Sequence, residues 1–324
     1  MTPLSHGASL AHDPLLAHDP LWPRAGSWPS ADDAAPDAGR WDAVILGAPA
    51  ARTSLSPTGA DATPAAVREA LRRYSPTLLG PPPVDLAEAL RIADAGDVAD
   101  PDGPDGERRL RERTAGLAAR SDLVVALGGD NSITLSVAQG ARASGLITLD
   151  AHLDLRDGES NGSPVRRLIE GGLDPARIVQ IGIADFANSV AYAQRAADLG
   201  IRVVTLDELR RRGIADVVAE AREVAGAGAG VTGGAHASSI HLDIDVDVCD
   251  RAVAPGCPAS VPGGLAAWEL RALVRAIAAD PRVGSADIVE VDATADAPDG
   301  RTVRLAALCV LELLAGLYAR KESS

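Results

Sequence analysis

The chain has 324 residues, 46% of them hydrophobic and 23% charged, enough to bury the core of one large α/β domain or two small ones. A formal net charge of −14 leaves no basic stripe to displace counterions, which excludes a nucleic-acid-binding surface. Cys249, Cys257 and Cys309 are widely spaced and form no CxxC pair, so a reducing, cytoplasmic setting is expected and each thiol reads as a small buried hydrophobe. No uninterrupted apolar run has the ~18 residues of a membrane helix, and the start shows no signal-peptide pattern.

Residues 1–39 are rich in Pro, Ala, Asp, Ser and His and carry a near repeat, Leu10–Pro14 and Leu16–Pro20. This stretch has no steady period and is expected to be a mobile arm, able to lie on a neighbouring subunit. From residue 40 onward a single domain is expected. Its predicted strands are 42–47, 122–127, 145–149, 177–182, 201–205, 239–246 and 286–291. The predicted helices are 64–73, 106–119, 131–141, 163–171, 186–198, 214–225, 265–279 and 302–319. Segments 80–105 and 226–236, heavy in Pro, Asp, Gly and Ala, read as long loops. Strands alternating with helices imply an α/β fold with a largely parallel sheet covered on both faces. Sites in such sheets lie at the carboxyl ends of the strands.

The polar clusters obey that rule. Gly145–Leu149 reads as a buried strand, and Asp150, His152 and Asp154 follow it in alternation. Extended chain would point all three the same way. One Asp there would be an ordinary helix cap and one His an ordinary polar residue; three in alternation favour a metal. Asp243, Asp245 and Asp247 alternate within Ile and Val in the same manner, and such a row repels itself unless a cation or arginines intervene. Several carboxylates around one imidazole suit Mn²⁺ better than structural zinc. The ligands suffice for two ions, which would make a shared water nucleophilic near neutral pH. Glu290, after a third strand, is either a surface carboxylate or an anchor for a cationic amidine or guanidine. The turn Gly128-Gly129-Asp130-Asn131-Ser132 contains no phosphate-loop pattern, which argues against nucleotide binding.

With these motifs in order, the chain from about Asp42 to Tyr318 resembles the ureohydrolase family of arginases, agmatinases and formimidoylglutamases. Gly128–Ser132 is similar to the family's Gly-Gly-[Asp/Gly]-His-[Ser/Glu]. Asp150-Ala-His-Leu-Asp154 is similar to Asp-Ala-His-x-Asp. Asp245 to Gly256 is similar to Asp-x-Asp-x-x-Asp-Pro-x-x-Ala-Pro-Gly, and Glu290–Asp296 to Glu-Val-x-Pro-x-x-Asp. The resemblance implies a three-layer α/β/α domain, commonly trimeric or hexameric, with two Mn²⁺ ions. It implies metal ligands at Asn131, Asp150, His152, Asp154, Asp245 and Asp247, with Asp154 also accepting a proton from the nucleophilic water. Asp243 falls where the family has a serine and receives no role.

Two departures stand out. Asn131 occupies the place of a metal-binding His, and Asn161 the place of arginase's catalytic His. The first weakens one ion site, and the second disfavours arginase activity. The loop Leu155–Arg167 is closer to the formimidoylglutamase pattern than to the agmatinase one. A substrate with two carboxylates needs arginines. Arg156, Arg166 and Arg167 are the candidates, each equally readable as a helix-surface arginine. The expected reaction is hydrolysis of N-formimidoyl-L-glutamate to L-glutamate and formamide, with Glu290 and Asn161 beside the substrate. Alternatives are an agmatinase or guanidino-acid hydrolase releasing urea, and a catalytically degenerate ligand-binding relative.

Overall fold

A computed structural model describes residue 19 and residues 21–33, 39–227 and 239–322. The chain runs β1 (Trp41–Ala48), α1 (Thr63–Leu71), β2 (Thr77–Leu78), β3 (Val84–Asp85), α2 (Leu86–Ala89), β4 (Ile92–Asp97), α3 (Gly103–Ala118) and β5 (Ser121–Gly128). It continues with α4 (Ile133–Gly140), β6 (Ala143–Leu149), α5 (Pro164–Glu170), β7 (Ile178–Ile183), α6 (Val190–Leu199), β8 (Arg202–Thr205) and α7 (Leu206–Arg212). The last elements are α8 (Ile214–Ala225), β9 (Ser239–Asp245), α9 (Ala267–Ala278), β10 (Val283–Val289) and α10 (Arg301–Glu322).

Eight strands form one sheet in the order β4-β1-β5-β10-β9-β6-β7-β8, and every pairing in it is parallel. After β5 the chain skips two places to lay down β6, and β10 and β9 later fill the gap. The reversal opens a crevice at the carboxyl ends of these four strands, where α/β sheets bind ligands. Alternate residues of β5 supply the two faces: Leu123, Val125 and Leu127 join Val67, Leu270 and Leu313, whereas Val124 and Ala126 join Leu110, Leu117, Ile133 and Val137. Helices therefore cover both sides of the sheet, as the expected three-layer α/β/α arrangement requires.

The differences from expectation lie where burial is one-sided. β4 falls inside the segment 80–105 that reads as loop. It is an edge strand whose strand partner is β1, with Ser30 bridging Asp94 on its other side, and its Asp94 and Asp97 are bonded to Arg68. Such a strand needs no continuous apolar run. The seven-residue α7 lies between the expected strand 201–205 and helix 214–225. Its only strong signal is a cap, Thr205 Oγ1 accepting from Glu208 N.

Part of the expected arm also packs: Ala25 and Ala31 are fully buried, Ala31 N donates to Asp94 O, and Asp32 pairs with Arg113. Residues 21–33 are thus a strap on the domain rather than a free arm; the His-Asp-Pro repeat lies almost wholly outside the described residues, as does most of the Gly/Ala-rich loop. α10 is long and apolar enough to span a bilayer, and 72% of its most apolar window is buried within the fold. It is a core helix, packed on α9 and α1.

Candidate metal centre

One glycine shapes the entrance to the centre. A Cβ on Gly129 would sit 2.0 Å from Ala50 O, so only glycine lets the turn after β5 approach the loop after β1. Gly129 O in turn accepts from Glu290 N at 2.9 Å, which ties the end of β10 to the same turn. Glu290 and Asp154 both adopt positive φ, 61° and 51°, a conformation that bulky L-residues rarely take and that clusters at functional sites.

The loop after β6 is not extended, so alternation alone does not aim Asp150, His152 and Asp154. Neighbouring side chains fix its path. Asn188 Oδ1 accepts from Leu153 N at 2.9 Å, Asn188 Nδ2 donates to Ala151 O at 2.9 Å, and Gln180 Nε2 donates to Leu153 O at 3.0 Å. His152 Nδ1 then lies 2.9 Å from Asp247 Oδ2 and 3.5 Å from Asp150 Oδ1. Ligand atoms of Asp150, His152 and Asp247 all fall within 4.8 Å of one another.

Asp154 and Asp245 form a second subset around Asn131. Asn131 Nδ2 donates to Asp154 Oδ2 at 2.6 Å and lies 3.4 Å from Asp245 Oδ2, while Thr134 Oγ1 bonds Asn131 Oδ1 at 2.6 Å. The amide nitrogen thus faces the carboxylates and the amide oxygen faces Thr134. Asn161 Nδ2 donates to Glu290 Oε1 at 2.9 Å, and Asn131 N donates to the same oxygen at 2.8 Å. Asn161 therefore orients Glu290.

The electrostatics fit a divalent cation. Burial first, then the Asp247 charge, pushes Asp150 up to about 6, and Asp150 Oδ2 is buried without a hydrogen-bond partner. Burial and neighbouring carboxylates hold Asp154 and Asp245 well above the usual carboxylate range. Burial opposes a charged His152, yet Asp150 and Asp247 outweigh it and push the imidazole up to about 12. No arginine or lysine among the described residues pairs with these acids. Oxygen-rich donors with one imidazole match a manganese-type ion.

A cavity of about 330 Å³ opens over the cluster, lined by His152, Asp154, Asp245, Asp247 and Glu290 below and by Arg156, Asn161, Asn188, Ser189 and Tyr192 at its sides. Arg156 is the only one of the three candidate arginines that lines it. Arg166 binds Glu170 at 2.6 Å and Arg156 O at 2.6 Å, and Arg167 binds Glu107 at 2.6 Å. Asn188 and Tyr192, which follow β7, were absent from the expected site; an amide just past a strand end was the available signal.

The match to known proteins agrees with this geometry. Residues 41–316 match the model of the arginase family. The chain belongs to the arginase family. A formimidoylglutamase of Halalkalibacterium halodurans is 35% identical over 285 residues, 84% of this chain and 86% of that one. The crystal structure of formimidoylglutamase from Bacillus subtilis superposes with a TM-score of 0.81 at 30% identity, covering 92% of this chain and 93% of that one. A Trypanosoma cruzi formiminoglutamase solved with Mn²⁺ gives 0.79 at 25% identity, covering 92% and 99%.

Proposed function

We propose that this chain is a manganese-dependent formimidoylglutamase, hydrolysing N-formimidoyl-L-glutamate to L-glutamate and formamide. The observation that carries the reading is Arg156, a guanidinium with no carboxylate partner among the described residues, in the wall of the cavity that also holds the acid cluster and Glu290. That arrangement suits a substrate with a carboxylate at one end and a cationic amidine at the other.

Asp150, His152, Asp154, Asp245 and Asp247 would hold the metal. Bound there, manganese supplies Lewis-acid polarisation and a water acidic enough to attack at neutral pH. Asp154, whose proton affinity burial raises, accepts a proton from the attacking water. Glu290, oriented by Asn161, bonds the amidine nitrogens, and Arg156 receives a substrate carboxylate. Water oxygen joins the amidine carbon, the bond from that carbon to the glutamate nitrogen breaks, and the departing amine takes up a proton. Arg166 and Arg167 are assigned to holding the loop. Cytoplasmic location and a trimer or hexamer are taken from the family as part of the same reading.

A panel assay of Mn²⁺-loaded protein tests it. Formamide from N-formimidoyl-L-glutamate, with no urea from agmatine or guanidino acids, is expected. Urea release with no activity on formimidoylglutamate would falsify the assignment. Within the same assay, Arg156→Gln should raise KM by roughly 10- to 100-fold with little change in kcat, the loss of one charge-assisted contact.

A further inference from the structure

We propose that a second pocket, at the opposite end of the sheet from the metal centre, binds a small dianion through Arg111, Arg142 and Arg177. The pocket encloses about 410 Å³ and is also lined by Gln139, Ser144 and Asp174. Ser144 lies at the start of β6 and Arg177 immediately precedes β7, whereas Asp150 and Ile183 mark the other ends of those strands. A strand of that length separates the two pockets by about 20 Å.

Charge is the main argument. Asp and Glu outnumber Lys and Arg 45 to 31 in this chain, and more than half of its arginines pair with an acid. Arg166, Arg167, Arg195, Arg202 and Arg212 all do. The three arginines of this pocket form no ion pair among the described residues. Arg111 donates to the neutral Gln139 Oε1 at 3.1 Å, and Arg177 donates to Ser144 Oγ and Ala225 O, both at 3.1 Å. The Arg142 guanidinium has no partner among the described residues. The one acid of the wall, Asp174, already accepts from Ala176 N at 3.0 Å.

Two further observations agree. Burial lowers the Arg177 pKa, the Asp174 charge opposes it, and the Arg282 charge adds a smaller lowering, so Asp174 does not fully offset the cost of burying this guanidinium. Arg142 is held at φ 55°, a left-handed conformation that long side chains rarely adopt, between α4 and β6. Three guanidiniums against one carboxylate leave two positive charges, which match a dianion. Their planar forks suit carboxylate or phosphate oxygens, and the volume suits a small molecule.

Calorimetric titration of the Mn²⁺-loaded full chain, in about 0.15 M salt to screen loose surface attraction, tests this. Inorganic phosphate and succinate serve as separate probes. Saturable one-to-one binding is expected for at least one of them, and which one binds distinguishes a phosphorylated ligand from a dicarboxylate. Arg142→Gln and Arg111→Gln, both at exposed positions, should each weaken it at least tenfold while leaving the thermal melt and formamide release unchanged. Arg156→Gln should leave it intact. No saturable binding of either probe, binding that survives both pocket substitutions, or binding lost only in Arg156→Gln would overturn the proposal.

Discussion

The acidic runs Asp150–Asp154 and Asp243–Asp247 share one spacing but meet the end of the sheet differently. The first begins where β6 has already stopped, and its path is set by Asn188 and Gln180. The second is strand through Asp245 and only then turns into a short 3-10 helix at Val246–Val248. Asp247 on that turn reaches His152. Asp243 stays one repeat inside the sheet, in register with Asp287 of β10 and Thr148 of β6, fully buried and with neither carboxylate oxygen hydrogen-bonded. Alternation decides which face a side chain takes; its depth below the strand end decides whether it serves the cavity or the interior. Glu290 and Asp287 repeat the contrast on β10. Glu290 lines the cavity, whereas Asp287 bonds the buried His241 at 3.1 Å.

That contrast orders the expected effects. Asp247→Ala removes the partner of His152, so manganese content should fall well below the wild-type level and hydrolysis by on the order of 10³-fold, the loss of several kcal/mol of metal-derived stabilisation. Full metal content in this variant would put the ligand set elsewhere. Glu290→Gln keeps the shape beside Asn131 and Asn161 but removes the charge facing the amidinium. A loss of roughly 10²-fold in kcat/KM with manganese retained is expected; an unchanged rate would return Glu290 to the status of a structural acid. Asp243→Ser removes a buried carboxyl that burial, and then the neighbouring Asp287, hold well above the usual carboxylate range. It should raise stability to chemical denaturation by about 1–3 kcal/mol and leave metal content unchanged. Lost metal there would erase the distinction drawn by depth.

The smallest effect concerns pH. A carboxylate binds a cation only after losing its proton, and burial has pushed Asp150 up to about 6. Apparent manganese affinity should therefore fall as the pH is lowered through that value, by up to about tenfold per unit for each proton displaced. Direct metal titrations at pH 5 and pH 7 measure this, and equal affinities would contradict it.

Much of this is legible in the sequence. The long apolar runs of β1, β5, β6 and β9 announce strands buried on both faces, and the acids after them mark the crevice. What escaped is what pattern does not encode. β4 is half-solvated, with Asp94 and Asp97 tied to Arg68, so its sequence carries no apolar run. The choice of Arg156 over Arg166 and Arg167 depends on where α5 begins and on Glu107 and Glu170, residues with no motif of their own. The direction in which the Asn131 amide faces depends on Thr134, one helical turn away. Each of these is a side-chain contact that the spacing of the motifs does not reveal.

The most direct test of the central claim is a manganese titration of chelator-stripped protein. Bound metal and formamide released from N-formimidoyl-L-glutamate are measured in the same samples. Formamide production should be absent without metal, rise in step with bound manganese and level off when the site fills. Hydrolysis that is unaffected by stripping, or a fully loaded protein that releases no formamide, would contradict the account.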